Sequence, residues 1–368
     1  MNWRSYLRTK SRQPEFLWRM VLWILAAGVL LGYVAQQVTQ PQPPGRNDHV
    51  VQTDIWKQLD TFGENGQWRE LWWAIPRVAY SRFAESGPTV LAALTWCCWM
   101  AFLLQALQVR GPSDLRVWLA LLAAAAGVVS IWPTHFISLW QKYAWNIHAS
   151  LEFVQGLRFY ILGVGLPEEL SKLLCLMPLL LLVRGELAAL LVSACVGLGF
   201  AATENVGYFA GTGGTSAMGR FLVANPMHFT LTGLVGLHVF RALRDPAGWG
   251  PHAAATFGLM VVAHGVYDAA ITVPALAQYA LINVIVFALV VYQFFRELRD
   301  LRARDDDLIS LSANFLFGVS LITAATFVYL SATVGCSVAF DSLVQGVLGL
   351  AVMVYLFLRE MPDTMVSV

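Results

Sequence analysis

The sequence predicts an all-α protein, a polytopic bundle of about ten transmembrane helices. Of its 368 residues, 57% are hydrophobic and only 13% are charged, whereas soluble domains carry about 25% charged residues. Its long apolar runs, each of about 20 residues, suffice to cross the hydrocarbon core of a bilayer. The net charge of +1 gives no reason to expect a nucleic-acid partner. Composition therefore makes the lipid bilayer the surroundings of this chain.

The predicted spans follow one another along most of the chain. They are 17–38, 88–107, 116–138, 159–183, 187–208, 221–240, 253–273, 276–295, 309–331 and 342–358. The first follows a basic N-terminus, 1–16, and has no evident small-residue cleavage site, which favours an uncleaved signal anchor. Lys and Arg are more frequent in the segments that lie inside when the N-terminus is cytoplasmic, so we expect both termini in the cytoplasm.

Segment 39–87 differs from the rest of the chain. It opens with the Pro-rich stretch "TQPQPPGRND" and continues into "WRELWWAIPRVAYSRF". Trp and Arg in such a pattern are typical of an amphipathic helix at the membrane interface. We expect an external loop with an interfacial segment here.

Ionisable and amide side chains are concentrated in the fourth to seventh predicted spans. A charged group inside a membrane is costly and is a functional hypothesis by default. In the predicted orientation these side chains share the outer half of the membrane, so they are expected to form one cluster. The residues are Glu168, Glu169, Lys172, Glu204, Asn205, His228, His264 and Asp268.

Spacing within the helices indicates which side chains meet. In "LPEELSKLL", Lys172 follows Glu168 by four residues and Glu169 by three, so it can neutralise either carboxylate. His264 and Asp268 are also four residues apart. That spacing suits two ligands of one metal, or a carboxylate that orients an imidazole.

Two of the helices are predicted to be broken at this cluster. "GVGLPEE" and "VANPMHF" each place a proline, Pro167 or Pro226, where a helix would begin, and proline suits the first helical position. Glu168 and Glu169 then fall in a first turn, and Asn225 is a candidate cap. Irregular backbone at membrane depth is tolerated where it is buried in protein or lines a wet cavity.

Several chemistries are open to such a cluster. A carboxylate beside water can act as a general base, and two histidines with a carboxylate can hold zinc with a position left for water. No Ser, Thr or Cys lies at a comparable spacing from a base, so a covalent mechanism is not indicated. The rivals are a proton-coupled transporter, for which an inverted repeat would be expected, and a non-catalytic membrane scaffold. We find no such repeat.

Four of these elements, taken in order, resemble the motifs of PrsW-type intramembrane proteases. "EELSK" is similar to EExxK, "FAATEN" to FxxxEN, His228 to a single-histidine element and "HGVYD" to HxxxD. That family is related to the CAAX prenyl protease and bacteriocin-immunity-type membrane proteins. The resemblance covers about 155–300, the expected catalytic bundle. It leaves 88–154 and 301–368 as accessory spans.

The resemblance implies a metal-dependent intramembrane endopeptidase of the bacterial inner membrane. Its substrate would be a membrane-anchored protein such as an anti-sigma factor, and its cut the first of a cascade. The cofactor would be a divalent metal, zinc foremost, although a metal-free glutamate mechanism is the main alternative.

Roles for the cluster follow from the resemblance and the spacing together. We interpret Glu169 as the general base and Glu168 as the partner of Lys172, while either glutamate can serve. His228, His264 and Asp268 are the expected ligands of metal or water. Glu204 is a further ligand or a proton carrier, and Asn205 completes the catalytic set.

Overall fold

The computed structural model describes residues 3–39, 49–109, 111, 113–279, 281–302 and 309–360. Regular structure in these residues is helical throughout, which confirms the all-α prediction. The α-helices are α1 Trp3–Lys10, α2 Pro14–Thr39, α3 His49–Glu64, α4 Trp68–Ala79, α5 Ser86–Ala106, α6 Leu115–Ala144, α7 Phe153–Arg158, α8 Leu166–Leu180, α9 Glu186–Thr212, α10 Ala217–Gly219, α11 Asn225–Arg244, α12 Pro246–Thr272, α13 Leu281–Leu301, α14 Leu311–Val334 and α15 Cys336–Glu360.

Within the described residues, seven helices are long and apolar enough to cross a membrane: α2, α5, α6, α9, α12, α13 and α14. The predicted number of ten is therefore too high. The predicted span 159–183 contains α8, which has only 15 residues. In 221–240, polar side chains interrupt the apolar run of α11. The last, 342–358, lies in α15, where side chains 345–350 fall outside the described set.

Both proline sites contain π-helical turns rather than breaks. Residues Phe159–Gly165 join α7 to α8, and Arg220–Ala224 join α10 to α11, each as a π-helix. Pro167 and Pro226 follow directly at the start of the next α-helix. A proline cannot donate to the residue four positions back and collides with its carbonyl. A wider turn relieves that conflict without ending the helix, and π-turns of this kind are common at functional sites.

Helix α9 forms the centre of the bundle, with α5, α6 and α11 packed around it. Its glycines allow neighbouring backbones to touch. A methyl group on Gly199 would overlap the carbonyl oxygen of Ala124 in α6, and one on Gly197 would overlap that of His228 in α11. Small residues are the usual means by which membrane helices approach closely. The separation between α9 and α11 is therefore fixed by backbone contact.

Polar contacts between helices are found near the ends of the bundle as well as at its centre. Gln36 of α2 accepts a hydrogen bond from the backbone N–H of Cys336 at 2.6 Å. Arg241 of α11 donates to Glu186 at 2.6 Å and to Glu297 at 3.2 Å. These contacts tie α2 to the start of α15, and α11 to α9 and α13.

The segment expected as an external loop contains α3 and α4, which pack on the second half of α6. Asp60 accepts hydrogen bonds from Lys142, at 2.6 Å, and from Tyr143. Burial would raise the pKa of Asp60, but these hydrogen bonds and the charge of Lys142 outweigh it and hold the pKa below its ordinary value. Trp132 donates from Nε1 to the carbonyl of Trp72. The position of segment 39–87 at the membrane interface stays a prediction.

Backbone packing around α9 can be tested with a matched pair of alanine variants. We expect Gly199→Ala to destabilise the protein by about 1 to 3 kcal/mol, because overpacking forces the helices apart. In Gly207→Ala, on the same helix, the added methyl group has no neighbour within 4 Å. The stability of this variant should therefore be unchanged or slightly raised. Thermal unfolding in detergent measures both. Equal melting temperatures for the two variants would contradict the packing.

Candidate active site

Four helices bring the predicted polar residues together. The cluster takes three side chains from α8, two from α9, one from α11 and two from α12. They are Glu168, Glu169 and Lys172; Glu204 and Asn205; His228; and His264 and Asp268. The sequence prediction that these residues share one site is thus matched by the packing of their helices.

Lys172 lies at the centre and is fully buried. Its ammonium nitrogen is 2.8 Å from Glu169 Oε1 and 3.4 Å from Glu168 Oε2, so both pairs expected from spacing are formed. The same nitrogen is 3.0 Å from His228 Nδ1. It also lies 4.0 Å from the centre of the Phe200 ring, a cation–π distance. One cation therefore holds side chains of α8, α9 and α11.

Each histidine is held by a carboxylate through one of its ring nitrogens. His264 Nδ1 is 2.9 Å from Glu169 Oε1, and His228 Nε2 is 2.8 Å from Glu204 Oε2. We assign the proton to these nitrogens from their partners. His228 Nδ1 is then an acceptor for the Lys172 ammonium group, whereas His264 Nε2 faces the carboxylates of Glu168 and Asp268.

Glu168 faces one ring nitrogen of each histidine. Its Oε2 lies 3.5 Å from His264 Nε2 and 4.0 Å from His228 Nδ1. Glu168 also lines two cavities, an active-site cavity of about 370 Å³ and an adjoining one of about 430 Å³. Glu169 is not among the described residues that line either cavity, and its side chain is only 1% exposed. Water entering the cavity therefore meets Glu168.

Asp268 and His264 form the pair expected from their spacing. Asp268 Oδ2 is 3.4 Å from His264 Nε2. Its side chain is 28% exposed and lines the active-site cavity together with a further cavity of about 590 Å³. Asp268 thus lies between His264 and the 590 Å³ cavity.

Asn205 lies behind the cavity, and its amide bonds to polar side chains of three other segments. Its oxygen accepts from Arg220 Nε at 2.6 Å, and its nitrogen donates to Asn225 at 2.9 Å and to Thr95 at 3.3 Å. Asn205 is fully buried. Asn225 does not form the expected cap, because the helix continues back into the π-turn. The side-chain oxygen of Asn225 instead accepts a hydrogen bond from Asn205. These contacts join α9 to the start of α11.

Arg220 is a site residue that sequence reasoning missed. The predicted topology placed it in an external segment, whereas it lies in the π-turn before α11 and lines the active-site cavity. Its Nη2 is 2.9 Å from Glu204 Oε2, and its guanidinium carbon is 4.1 Å from the centre of the Tyr208 ring. Tyr208 lies four residues after Glu204 and so on the same helix face. An aromatic ring beside that carboxylate was the one sequence feature that could have indicated a cation here.

The donor set is suited to a metal ion. One atom each from Glu168, His228 and His264 lies within 4.8 Å of the other two. Two imidazoles and a carboxylate form a common donor set of catalytic zinc. Moreover, Glu169 and Glu204 hold the opposite ring nitrogens, as carboxylates often do for metal-bound histidines. The residues therefore fit a divalent metal. The group contains Glu168 beside the two predicted histidines, and a ligand role for Asp268 stays a prediction.

A comparison with known protein families found a match for the part of the chain that contains this site. Residues 113–293 match the model described as PrsW family intramembrane metalloprotease. The chain carries a PrsW family domain. It is a peptidase, and the matched range begins with α6 and includes every helix of the site. No curated protein and no solved structure matches the chain.

The contribution of Lys172 to the stability of this PrsW family domain can be measured with two lysine-to-methionine variants. Lys172→Met should destabilise the protein by roughly 3 to 5 kcal/mol, because removing one partner of a buried pair leaves an uncompensated charge. Lys142→Met breaks a pair whose side chains are 35% and 41% exposed, so its cost should be about 0 to 1 kcal/mol. Thermal unfolding in detergent compares them. A Lys172→Met protein as stable as Lys142→Met would contradict the central role of the ammonium group.

Proposed function

We propose that this PrsW family peptidase is an endopeptidase that hydrolyses a peptide bond of a membrane-anchored protein with a water molecule held at Glu168. The observation that supports this best is the position of Glu168, which lines two adjoining cavities and faces one ring nitrogen of each histidine. This assigns the base to Glu168 and not to Glu169, which the sequence favoured. Glu169 instead orients His264.

The proton chemistry follows from the partners of each group. Glu168 accepts a proton from water, which attacks the carbonyl carbon, and then returns it to the leaving amine. Lys172 offsets the negative charge of the two neighbouring glutamates. Glu204 lines the cavity and accepts from His228 Nε2, so a role as an outer partner of the histidine fits it better than that of a direct ligand.

A divalent metal, zinc foremost, would be held by Glu168, His228 and His264 and would polarise the substrate carbonyl and acidify water. Glu168 would then act as a metal ligand and not as the free base. His228 would offer Nδ1, which in this structure is 3.0 Å from the Lys172 ammonium group. That contact favours a second candidate, a metal-free glutamate mechanism, because the ammonium group already supplies positive charge there.

The surroundings of the site support a protein substrate of the membrane. The 430 Å³ cavity extends from Glu168 past α6 to Trp56 of α3 and His148, so a chain segment can reach the site from that end. We propose that the substrate is a membrane-anchored protein such as an anti-sigma factor and that this cut is the first of a cascade. The enzyme would lie in a bacterial inner membrane with its N-terminus in the cytoplasm. A cytoplasmic C-terminus requires an even number of crossings, which the seven spans give if α15 crosses as well.

Cleavage by single variants tests the assignment of the base. With a co-expressed single-span substrate, Glu168→Gln should reduce cleavage by about 10² to 10⁴-fold, the usual worth of a general base. Glu169→Gln keeps a hydrogen-bond acceptor for His264, so its loss should be smaller, about 10 to 100-fold. Fragment yield per folded protein is the measurement. Unchanged cleavage by Glu168→Gln would refute the proposal, and a larger loss in Glu169→Gln would return the base to Glu169.

Metal dependence is a separate measurement on the same protein. If the metal mechanism holds, purified protein should contain about one divalent ion per chain, and His228→Ala and His264→Ala should lose it. A chelator should then abolish cleavage, and zinc should restore it. Full activity in metal-free protein would select the glutamate mechanism.

Orientation is tested by labelling single cysteines in a background without the five native ones. Arg69→Cys, in α4, should react with a membrane-impermeant reagent from outside intact cells. Ser113→Cys, between α5 and α6, should react only after the membrane is opened, because two spans, α2 and α5, precede it. Labelling of position 113 from outside would reverse the proposed topology.

A further inference from the structure

We propose that Arg220 is a positioning residue of the reaction, which holds Glu204 so that His228 keeps its proton on Nε2 and presents Nδ1 to the site. The inference rests on the proposed function, because it concerns the geometry of the same histidine. Arg220 is the first residue of "RFLVANPMH", the stretch that contains the single-histidine element, but the sequence analysis gave it no role.

The evidence begins with the shared oxygen of Glu204. Oε2 accepts from Arg220 Nη2 at 2.9 Å and from His228 Nε2 at 2.8 Å. An ionised carboxylate that already has a cationic donor remains an acceptor, so it accepts a proton-bearing nitrogen from the imidazole. Arg220 thus holds the carboxylate that fixes the proton on Nε2, while the Lys172 ammonium group at Nδ1 favours the same tautomer from the other side of the ring.

The guanidinium group is itself fixed from three directions. Its Nε donates to Asn205 at 2.6 Å, its Nη2 donates to Glu204, and its plane lies over the Tyr208 ring. Asn205 and Glu204 are neighbours in α9, and the planar fork of arginine matches two such acceptors. A lysine has no such fork and cannot serve both acceptors in this geometry.

Arg220 also carries this constraint to the backbone beneath His228. Asn205, which Arg220 holds, donates to Asn225 in the first turn of α11, three residues before the histidine. The side chain and the helix of His228 are therefore both tied to one guanidinium group. This accounts for the adjacent Glu and Asn of "FAATEN", because both are acceptors for Arg220.

The experiment compares Arg220→Gln with Arg241→Gln in the full-length chain in detergent. Arg241 lies near the other end of α11, bonds two glutamates and lies over Trp249. It therefore controls for the loss of a partly buried arginine cluster away from the site. Nitrogen-15 NMR of labelled histidine reports the tautomer of His228, whose signal is assigned by its absence in His228→Asn. Cleavage of a single-span substrate gives kcat and KM.

We expect Arg220→Gln to shift His228 away from the Nε2-protonated form and to lower kcat by about 10 to 100-fold, the usual loss from an outer partner of a site histidine. KM should change by less than about threefold. Arg241→Gln should keep the wild-type tautomer and kcat. Guanidinium ion added to Arg220→Ala should restore part of kcat, since the 590 Å³ cavity reaches this position.

An unchanged His228 tautomer in Arg220→Gln would overturn the inference, whatever the activity. Equal losses of kcat in the Arg220 and Arg241 variants would overturn it too, because they would indicate a general effect on stability. The proposed function fails on different evidence, namely normal cleavage by Glu168→Gln. The NMR result stands without any cleavage assay, so the two failures are distinguishable.

Discussion

The site depends on one buried cation, the ammonium group of Lys172. Glu168 and Glu169 are adjacent in sequence and both buried, and two unpaired carboxylates in that position would repel each other and lose their hydration. Lys172 contacts both and also His228 and the ring of Phe200. Because these partners lie on three helices, the charge balance of the site and the packing of α8, α9 and α11 are one constraint.

Much of this arrangement could be predicted from the sequence, because it follows from helical spacing. The i,i+3 and i,i+4 intervals placed Lys172 between two glutamates and His264 beside Asp268. Intramembrane charge is costly enough to indicate a cluster by itself. The all-α class followed from composition. The number of spans was overestimated, because the polar residues that make the site also shorten or interrupt the apolar runs of its helices.

Other features could not be predicted, since they depend on how the helices are rotated against one another. Neighbouring residues on a helix point about 100° apart, so adjacency could not tell whether Glu168 or Glu169 faces the cavity. Arg220 was missed, because its partners Asn205 and Glu204 lie on another helix, 15 and 16 residues earlier. The prolines indicated irregular backbone correctly, but a break and a π-turn have the same sequence signature.

The two π-turns have a consequence for how related chains should be aligned. A π-turn holds one residue more than the α-helical turn it replaces, and each residue turns the helix by about 100°. Phe159–Gly165 and Arg220–Ala224 therefore set the rotational phase of Glu168 and His228 relative to the preceding helix. A relative that lacks either proline can keep the same facing with an ordinary helix only by being one residue shorter there. Single-residue gaps in these segments would thus mark a conserved geometry.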